Sequence, residues 1–241
     1  MDFLKKQLED FGLDINSEQL SRFKIYMDYL LEYNSHTNLT SITDPKDIMI
    51  KHFLDSIAVN KFIKIPSQSK VIDVGTGAGF PGVPLKIYDP SLNLTLIDGL
   101  NKRIVFLKNL LEKLELDATV IHGRAEEYGL KPEFRQSFDF IVSRAVAPLR
   151  VLSEYCLPFV KVGGCFIAYK GPDCEEELIA AENAVELLGG SISRRENFAS
   201  VGISESSGSE LGHQLIFVSK IKPVMSKFPR KPGTPSKEPI K

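Results

Sequence analysis

Val71-Ile72-Asp73-Val74-Gly75-Thr76-Gly77-Ala78-Gly79-Phe80-Pro81-Gly82-Val83-Pro84 is the stretch from which the fold is read. Its first four residues predict a short buried strand. Glycine then stands at every second position, Gly75, Gly77 and Gly79, with Gly82 close behind. Pro81, Val83, Pro84, Leu85 and Ile87 suit the entry of a helix, because proline is tolerated in a first turn. Strand, glycine turn and helix together build a ligand cradle at the carboxyl end of the first strand of an α/β sheet. Glycine there permits a positive φ and lets a ligand approach bare backbone.

The segment Gly77-Ala78-Gly79-Phe80-Pro81-Gly82 also satisfies the dinucleotide pattern G-x-G-x-x-G. Two features point instead to S-adenosylmethionine (SAM). Asp73 sits in the strand that immediately precedes the first glycine, where a diphosphate would meet negative charge. SAM has no phosphate but carries an ammonium and a sulfonium, which a carboxylate suits. The glycine alternation beginning at Gly75 also resembles the D-x-G-x-G-x-G signature of class I SAM-dependent methyltransferases.

A chain of 241 residues, 43% hydrophobic and 25% charged, has room for one large α/β domain and an appendage. No apolar run approaches the ~20 residues of a membrane helix, and no signal peptide opens the chain. Three widely spaced cysteines, Cys156, Cys165 and Cys174, suit a reducing cytoplasm and form no metal motif. Neither membrane nor metal is expected, and the expected state is a monomer. The net charge of −1 divides into +6 over Lys220–Lys241 (seven Lys/Arg, one Glu) and therefore −7 over residues 1–219. An acidic body with a basic tail would meet RNA through local patches.

Residues 1–65 read as a small helical region. Phe3, Leu4, Leu8 and Phe11 mark a first helix stopped by Gly12. Ser17 is the expected cap of a second, from Glu18 to about Tyr33, followed by polar loop from Asn34 to Thr43. Asp44-Pro45 opens a third towards Phe62, on which His52, Asp55 and Ser56 share a face; a structural His52–Asp55 pair is expected there rather than a catalytic one. Over residues 66–220, strand runs 71–74, 94–98, 119–122, 138–143, 165–170 and 215–220 alternate with helical runs 82–88, 101–114, 149–160 and 175–188. Such alternation predicts a mostly parallel, Rossmann-like sheet with helices on both faces. Residues 221–241, rich in Pro and Lys, read as a basic, flexible tail.

Ligands of such sheets lie beyond the carboxyl ends of the strands. The residues just past each strand give a cofactor-side set of Asp73, Gly75, Gly77, Gly79, Phe80, Asp98, Ala125 and Glu126. Asp98 stands about twenty residues past the glycines, where an acid can hydrogen-bond ribose hydroxyls. Gly123-Arg124-Ala125-Glu126 could flank an adenine. A cationic set of Lys102, Arg103, Arg144 and Lys170 is expected on the same rim. Lys102 and Arg103 oppose the dipole of the helix they open, and four cations at one mouth would suit nucleic-acid phosphates.

The chain further resembles the RsmG (GidB) family of bacterial 16S rRNA guanine-N7 methyltransferases. The resemblance is carried by Asn38-Leu39-Thr40, by His52-Phe53-Leu54-Asp55-Ser56, by the glycine loop at 73–82, and by Lys102-Arg103 with Phe106-Leu107. It continues in GRAE at 123–126, SRAVAPL at 143–149 and Lys170-Gly171, spanning roughly residues 20 to 220. The resemblance implies SAM contacts at Gly75, Phe80, Ala125-Glu126 and Arg144. It also implies 16S rRNA, or a small ribosomal subunit precursor, as substrate. Asp98-Gly99 departs from an acid–serine pair common in the family.

Guanine N7 is a lone-pair acceptor without a proton, so its attack on the SAM methyl, with the sulfur leaving as a neutral thioether, is a direct displacement that needs alignment and no general base. In this reading Arg144 orients base or cofactor, and Lys170 and Lys102 neutralise phosphate. The alternatives are a small-molecule methyltransferase, a nicotinamide dehydrogenase and a non-catalytic nucleotide- or RNA-binding protein.

Overall fold

The computed structural model describes residues 1–199 and 212–241. The amino-terminal helices come first. Helix α1 spans Asp2–Phe11 and ends at Gly12 in the left-handed conformation. Helix α2, Ser17–Thr37, is capped by Asn16 rather than Ser17: Asn16 and Gln19 exchange side chain-to-backbone hydrogen bonds of 2.7 and 2.9 Å. It also runs a turn past the expected end. Asn38 closes it with a φ of 49°, and the Asn34 side chain accepts from Leu39 and Thr40 N–H.

Asp44 caps the third helical run, accepting from Lys46 and Asp47 N–H. The run is not uniform. It passes from α3 (Pro45–Asp47) through a π-helical segment (Ile48–Leu54) to α4 (Asp55–Ile57) and a 3-10 turn (Ala58–Lys61). Such wide turns re-aim side chains and recur at functional sites; this one carries His52.

Alternating elements follow: β1 (Lys70–Val74), α5 (Gly82–Tyr88), β2 (Asn93–Asp98), α6 (Asn101–Leu114), β3 (Thr119–His122), α7 (Ala125–Tyr128) and β4 (Phe138–Arg144). The chain continues through α8 (Leu149–Cys156), β5 (Val160–Lys170), α9 (Glu175–Leu187), β6 (Gly190–Ala199), β7 (Gly212–Lys220) and α10 (Thr234–Lys237). Among the described residues the strands form one sheet in the order β3-β2-β1-β4-β5-β7-β6. β7 runs antiparallel to both its neighbours, and the pairings from β3 to β5 are parallel. Strand order reverses between β1 and β4, which opens a crevice at their carboxyl ends. β6 was not among the expected strands. Ser191, Arg194, Arg195, Glu196 and Asn197 give it a polar sequence, which an edge strand tolerates.

The alternation of strand side chains divides the core between the two faces. Val71, Leu94, Leu96 and Val142 pack with α1, α2, α5 and α6, whereas Ile72, Val74, Ile97 and Ile141 pack with α8 and α9. The amino-terminal helices therefore share the core of the sheet: Tyr29 of α2 stacks on Phe106 of α6 at 5.2 Å.

The carboxyl-terminal segment corrects the expectation of a flexible tail. Val224 and Phe228 are buried. Arg135 donates to the carbonyls of Gly129, Phe228, Val224 and Met225, and Arg230 pairs with the buried Glu154 at 2.6 Å. Two apolar anchors and a guanidinium fork bind a segment whose composition alone suggests solvent. Among the described residues no helix is long and apolar enough to cross a membrane.

Candidate active site

The glycine loop is fixed from beneath by Asp73. This carboxylate is fully buried. Its Oδ2 accepts from Thr76 Oγ1 at 2.7 Å and from Gly82 N–H at 2.8 Å, joining the strand end to the first turn of α5. Burial pushes its pKa up to about 7, against the pull of those two donors. The expectation that Asp73 offers its charge to a ligand is thus corrected, because the side chain lies behind the loop.

Gly77 and Gly79 divide the work of the loop. Gly77 has a φ of 62°, and a Cβ there would meet nothing within 4 Å. Gly79 faces the protein instead: a Cβ would stand 2.7 Å from Tyr26 Oη and 2.9 Å from Val83 Cγ2. Gly79 thus leaves the expected set of ligand contacts, since its missing side chain makes room for α2. Tyr26 completes the attachment by donating to Ala78 O at 2.5 Å.

A cavity of about 690 Å³ opens over this loop. Of the cofactor-side set, Gly75, Gly77, Phe80, Asp98, Ala125 and Glu126 line it, together with Arg144. Asp98 is buried, and both its oxygens accept hydrogen bonds. Its Oδ2 accepts from Gly77 N–H at 2.9 Å and from Arg103 Nη1 at 3.1 Å, and its Oδ1 from Leu100 N–H at 2.9 Å. It thereby ties the glycine loop to the start of α6. Glu126 is likewise buried, and its Oε1 accepts from Gly233 N–H at 2.9 Å.

A second wall comes from elsewhere in the chain. Arg144, at the end of β4, donates through Nη1 to Asp55 Oδ2 at 2.5 Å and to Lys51 O at 3.0 Å. Its Nη2 meets His52 Nδ1 at 3.1 Å, while His52 Nε2 meets Thr40 Oγ1 at 2.9 Å. Burial and the nearby Arg144 charge push the His52 pKa down to about 3, so the imidazole is neutral near pH 7. The Phe80 ring lies among these groups, with His52 stacked at 4.4 Å, Tyr26 at 5.2 Å and the Arg144 guanidinium at 5.0 Å from its centre. His52 and Asp55 share a helix face, as expected, and Arg144 is the partner that the spacing did not reveal.

The expected rim of four cations assembles only in part. Arg103 and Arg144 line the cavity, paired with Asp98 and Asp55. Lys102 and Lys170 lie outside its lining. Lys102 Nζ donates to Thr37 O at 2.8 Å. Lys170 pairs with Glu177 and donates to Ala147 O at 2.9 Å. Glu177 also accepts from Leu149 N–H, so Lys170 steadies the Arg144–Pro148 connection. Sequence reasoning did not place Thr40, Tyr155 or Ser236 at the cavity, which all three line. Tyr155 and Ser236 are common polar residues with no spacing to mark them, and Thr40 enters the sequence reading only as part of Asn38-Leu39-Thr40.

The family model described as "GidB: rRNA small subunit methyltransferase G" matches residues 19–201. The chain belongs to this family. The rRNA small subunit methyltransferase G family also includes curated relatives named "Ribosomal RNA small subunit methyltransferase G". The protein of Alkaliphilus metalliredigens is 47% identical over 99% of this chain and 98% of its own length. That of Alkaliphilus oremlandii is 48% identical over 100% and 98%. Among solved structures, a SAM-dependent O-methyltransferase from Thermotoga maritima aligns with a TM-score of 0.54 at 16% identity, over 81% of this chain and 72% of its own. M. jannaschii TYW2 in complex with AdoMet gives 0.52 at 14% identity, over 69% and 77%. These likenesses concern the fold, which is that of class I SAM-dependent methyltransferases.

The cavity fits SAM on its own chemistry. Open space above Gly77 leaves bare backbone for a close approach. Carboxylates of Asp98 and Glu126 stand at its edge, with Val74, Ile97 and Leu100 as apolar surface between polar groups. Gly75, Gly77, Phe80, Asp98, Ala125 and Glu126 would hold the nucleoside and methionine parts.

Proposed function

We propose that this protein transfers a methyl group from SAM to N7 of one guanine in the decoding-region loop of 16S rRNA, by direct displacement without a general base. SAM supplies an electrophilic methyl on a sulfonium. The glycine loop binds the donor, the stacked Phe80–His52 pair backs the wall beside it, and Arg144 orients the base or the cofactor. The observation that carries the reading is one cavity in which a bare glycine backbone adjoins the Phe80–His52–Arg144 wall.

A neutral His52 held between Arg144 and Thr40 has little capacity to accept a proton near pH 7. That suits an acceptor nitrogen with no proton to lose. The target must be exposed in a loop or extruded, because the major groove of an RNA helix is too narrow for side chains. In this reading the protein acts as a cytoplasmic monomer on 16S rRNA or a small ribosomal subunit precursor and needs no metal.

Mass spectrometry of 16S rRNA from cells lacking the protein tests this directly. We expect loss of a single 7-methylguanosine, restored by complementation; an unchanged set of modifications would overturn the proposal. Calorimetric titration should show binding of SAM and none of NADH.

A further inference from the structure

With Arg103, Arg144 and Lys170 paired to Asp98, Asp55 and Glu177, and the exposed Lys102 outside the cavity lining, a polyanion approaching the cavity gains from further positive charge beside it. The carboxyl-terminal segment supplies it. Val224 and Phe228 pack into the core on the α8–α9 side of the sheet. From there the chain reaches the cavity, where Gly233 N–H is bonded to Glu126 and Ser236 forms part of the lining. It is a fastened strap.

The cations of this strap fall into two kinds. Arg230 is an anchor: its Nε and Nη2 donate to both carboxylate oxygens of Glu154, and its N–H donates to Oε1 at 2.8 Å. Lys231 and Lys237 are exposed, and neither makes an ion pair with the described residues. Lys237 follows Ser236 directly, so its backbone stands at the cavity edge. Arg124, exposed and also unpaired among the described residues, lines the same cavity beside Glu126.

We propose that Lys231 and Lys237, held beside Arg124 by the anchored strap, form the surface that docks the phosphate backbone of the substrate RNA. The proposal rests on the reading that the substrate is rRNA. Pro232 and Pro235 fix φ along the strap, so binding orders fewer degrees of freedom than a loose tail would. Lysine serves phosphate as a point charge, and phosphate contacts set position rather than sequence preference. The charge division favours the same orientation: residues 1–219 carry −7, whereas the exposed cations past β7 are lysines, Lys222, Lys227, Lys231, Lys237 and Lys241.

The test compares the full chain with the Lys231→Glu/Lys237→Glu double variant, and with Lys231→Gln/Lys237→Gln as a milder pair. Unchanged SAM affinity and melting temperature would certify an intact fold. We expect the reversed pair to raise KM for 16S rRNA roughly tenfold and to flatten the salt dependence of RNA binding, by about 1.5 in the slope of log K against log salt. The neutral pair should move both in the same direction and less far. Native KM and native salt slope in both pairs would overturn the docking surface while leaving the methyltransferase reading intact. Failure of the unaltered chain to methylate 16S rRNA, or to bind it, would remove both.

Discussion

The two walls of the cavity are built on opposite principles. One is a single continuous stretch, from Asp73 to Gly82, whose carboxylate, glycines and helix start are local neighbours. The other joins residues far apart in the chain: Arg144 reaches Asp55 across 89 positions, and Gly233 reaches Glu126 across 107. The first wall depends on backbone conformation, the second on buried charge. Substitutions should therefore damage the two in different ways.

The largest effect is expected on the second wall. Asp55→Ala would leave the Arg144 guanidinium, whose side chain is only 13% exposed, without its carboxylate. Removing one partner of a buried pair costs about 3–5 kcal/mol, readable as a lowered urea midpoint. A loss below about 1 kcal/mol, the range of exposed pairs, would erase the contrast between the walls.

An intermediate effect sets His52 on one wall against Asp73 on the other. The folded pKa of His52 lies below its ordinary 6.5, at about 3, so between those values the unfolded chain holds more protons and stability falls as pH drops. Asp73 is raised from 3.8 to about 7, so across that window the folded chain holds more protons and stability falls as pH rises. Between 3.8 and 6.5 the two slopes oppose each other. Relative to the native protein, Asp73→Asn should lose stability towards acid and His52→Gln towards neutrality, each by about 1.4 kcal/mol per pH unit. Urea titrations across this range check both signs, and parallel profiles for the two variants would refute the assignment.

The smallest effect on stability is expected at Gly77. Alanine there meets open space but must hold a left-handed backbone, a cost of roughly 1–2 kcal/mol, while its methyl group intrudes on the cavity. The variant should remain folded and bind SAM more weakly by calorimetry. Gly79→Ala should instead lose more stability, through collision with Tyr26 and Val83.

The same division governs how much could be read from sequence. The glycine loop, the parallel strands with their covering helices, and the Asp98 position follow from local spacing and periodicity. Arg144 stood out as a residue past a strand, but its attachment to Asp55 and His52 is a product of tertiary packing. The strap escaped notice because Pro and Lys suggest solvent and because Arg135 grips it through carbonyl oxygens, which every residue type possesses. The four-cation rim is incomplete for a related reason. Sequence gives the charge of a side chain, whereas Thr37 O, Ala147 O and Glu177 are acceptors visible only after folding.

Tyr26 carries one more consequence. With its hydroxyl on Ala78 O and its ring against Phe80, α2 and the glycine turn form a single cooperative unit. Slow amide exchange at residues 77–80 should thus depend on the intactness of a helix some fifty positions earlier, and fraying from the amino end would silence methyl transfer while the sheet still stood.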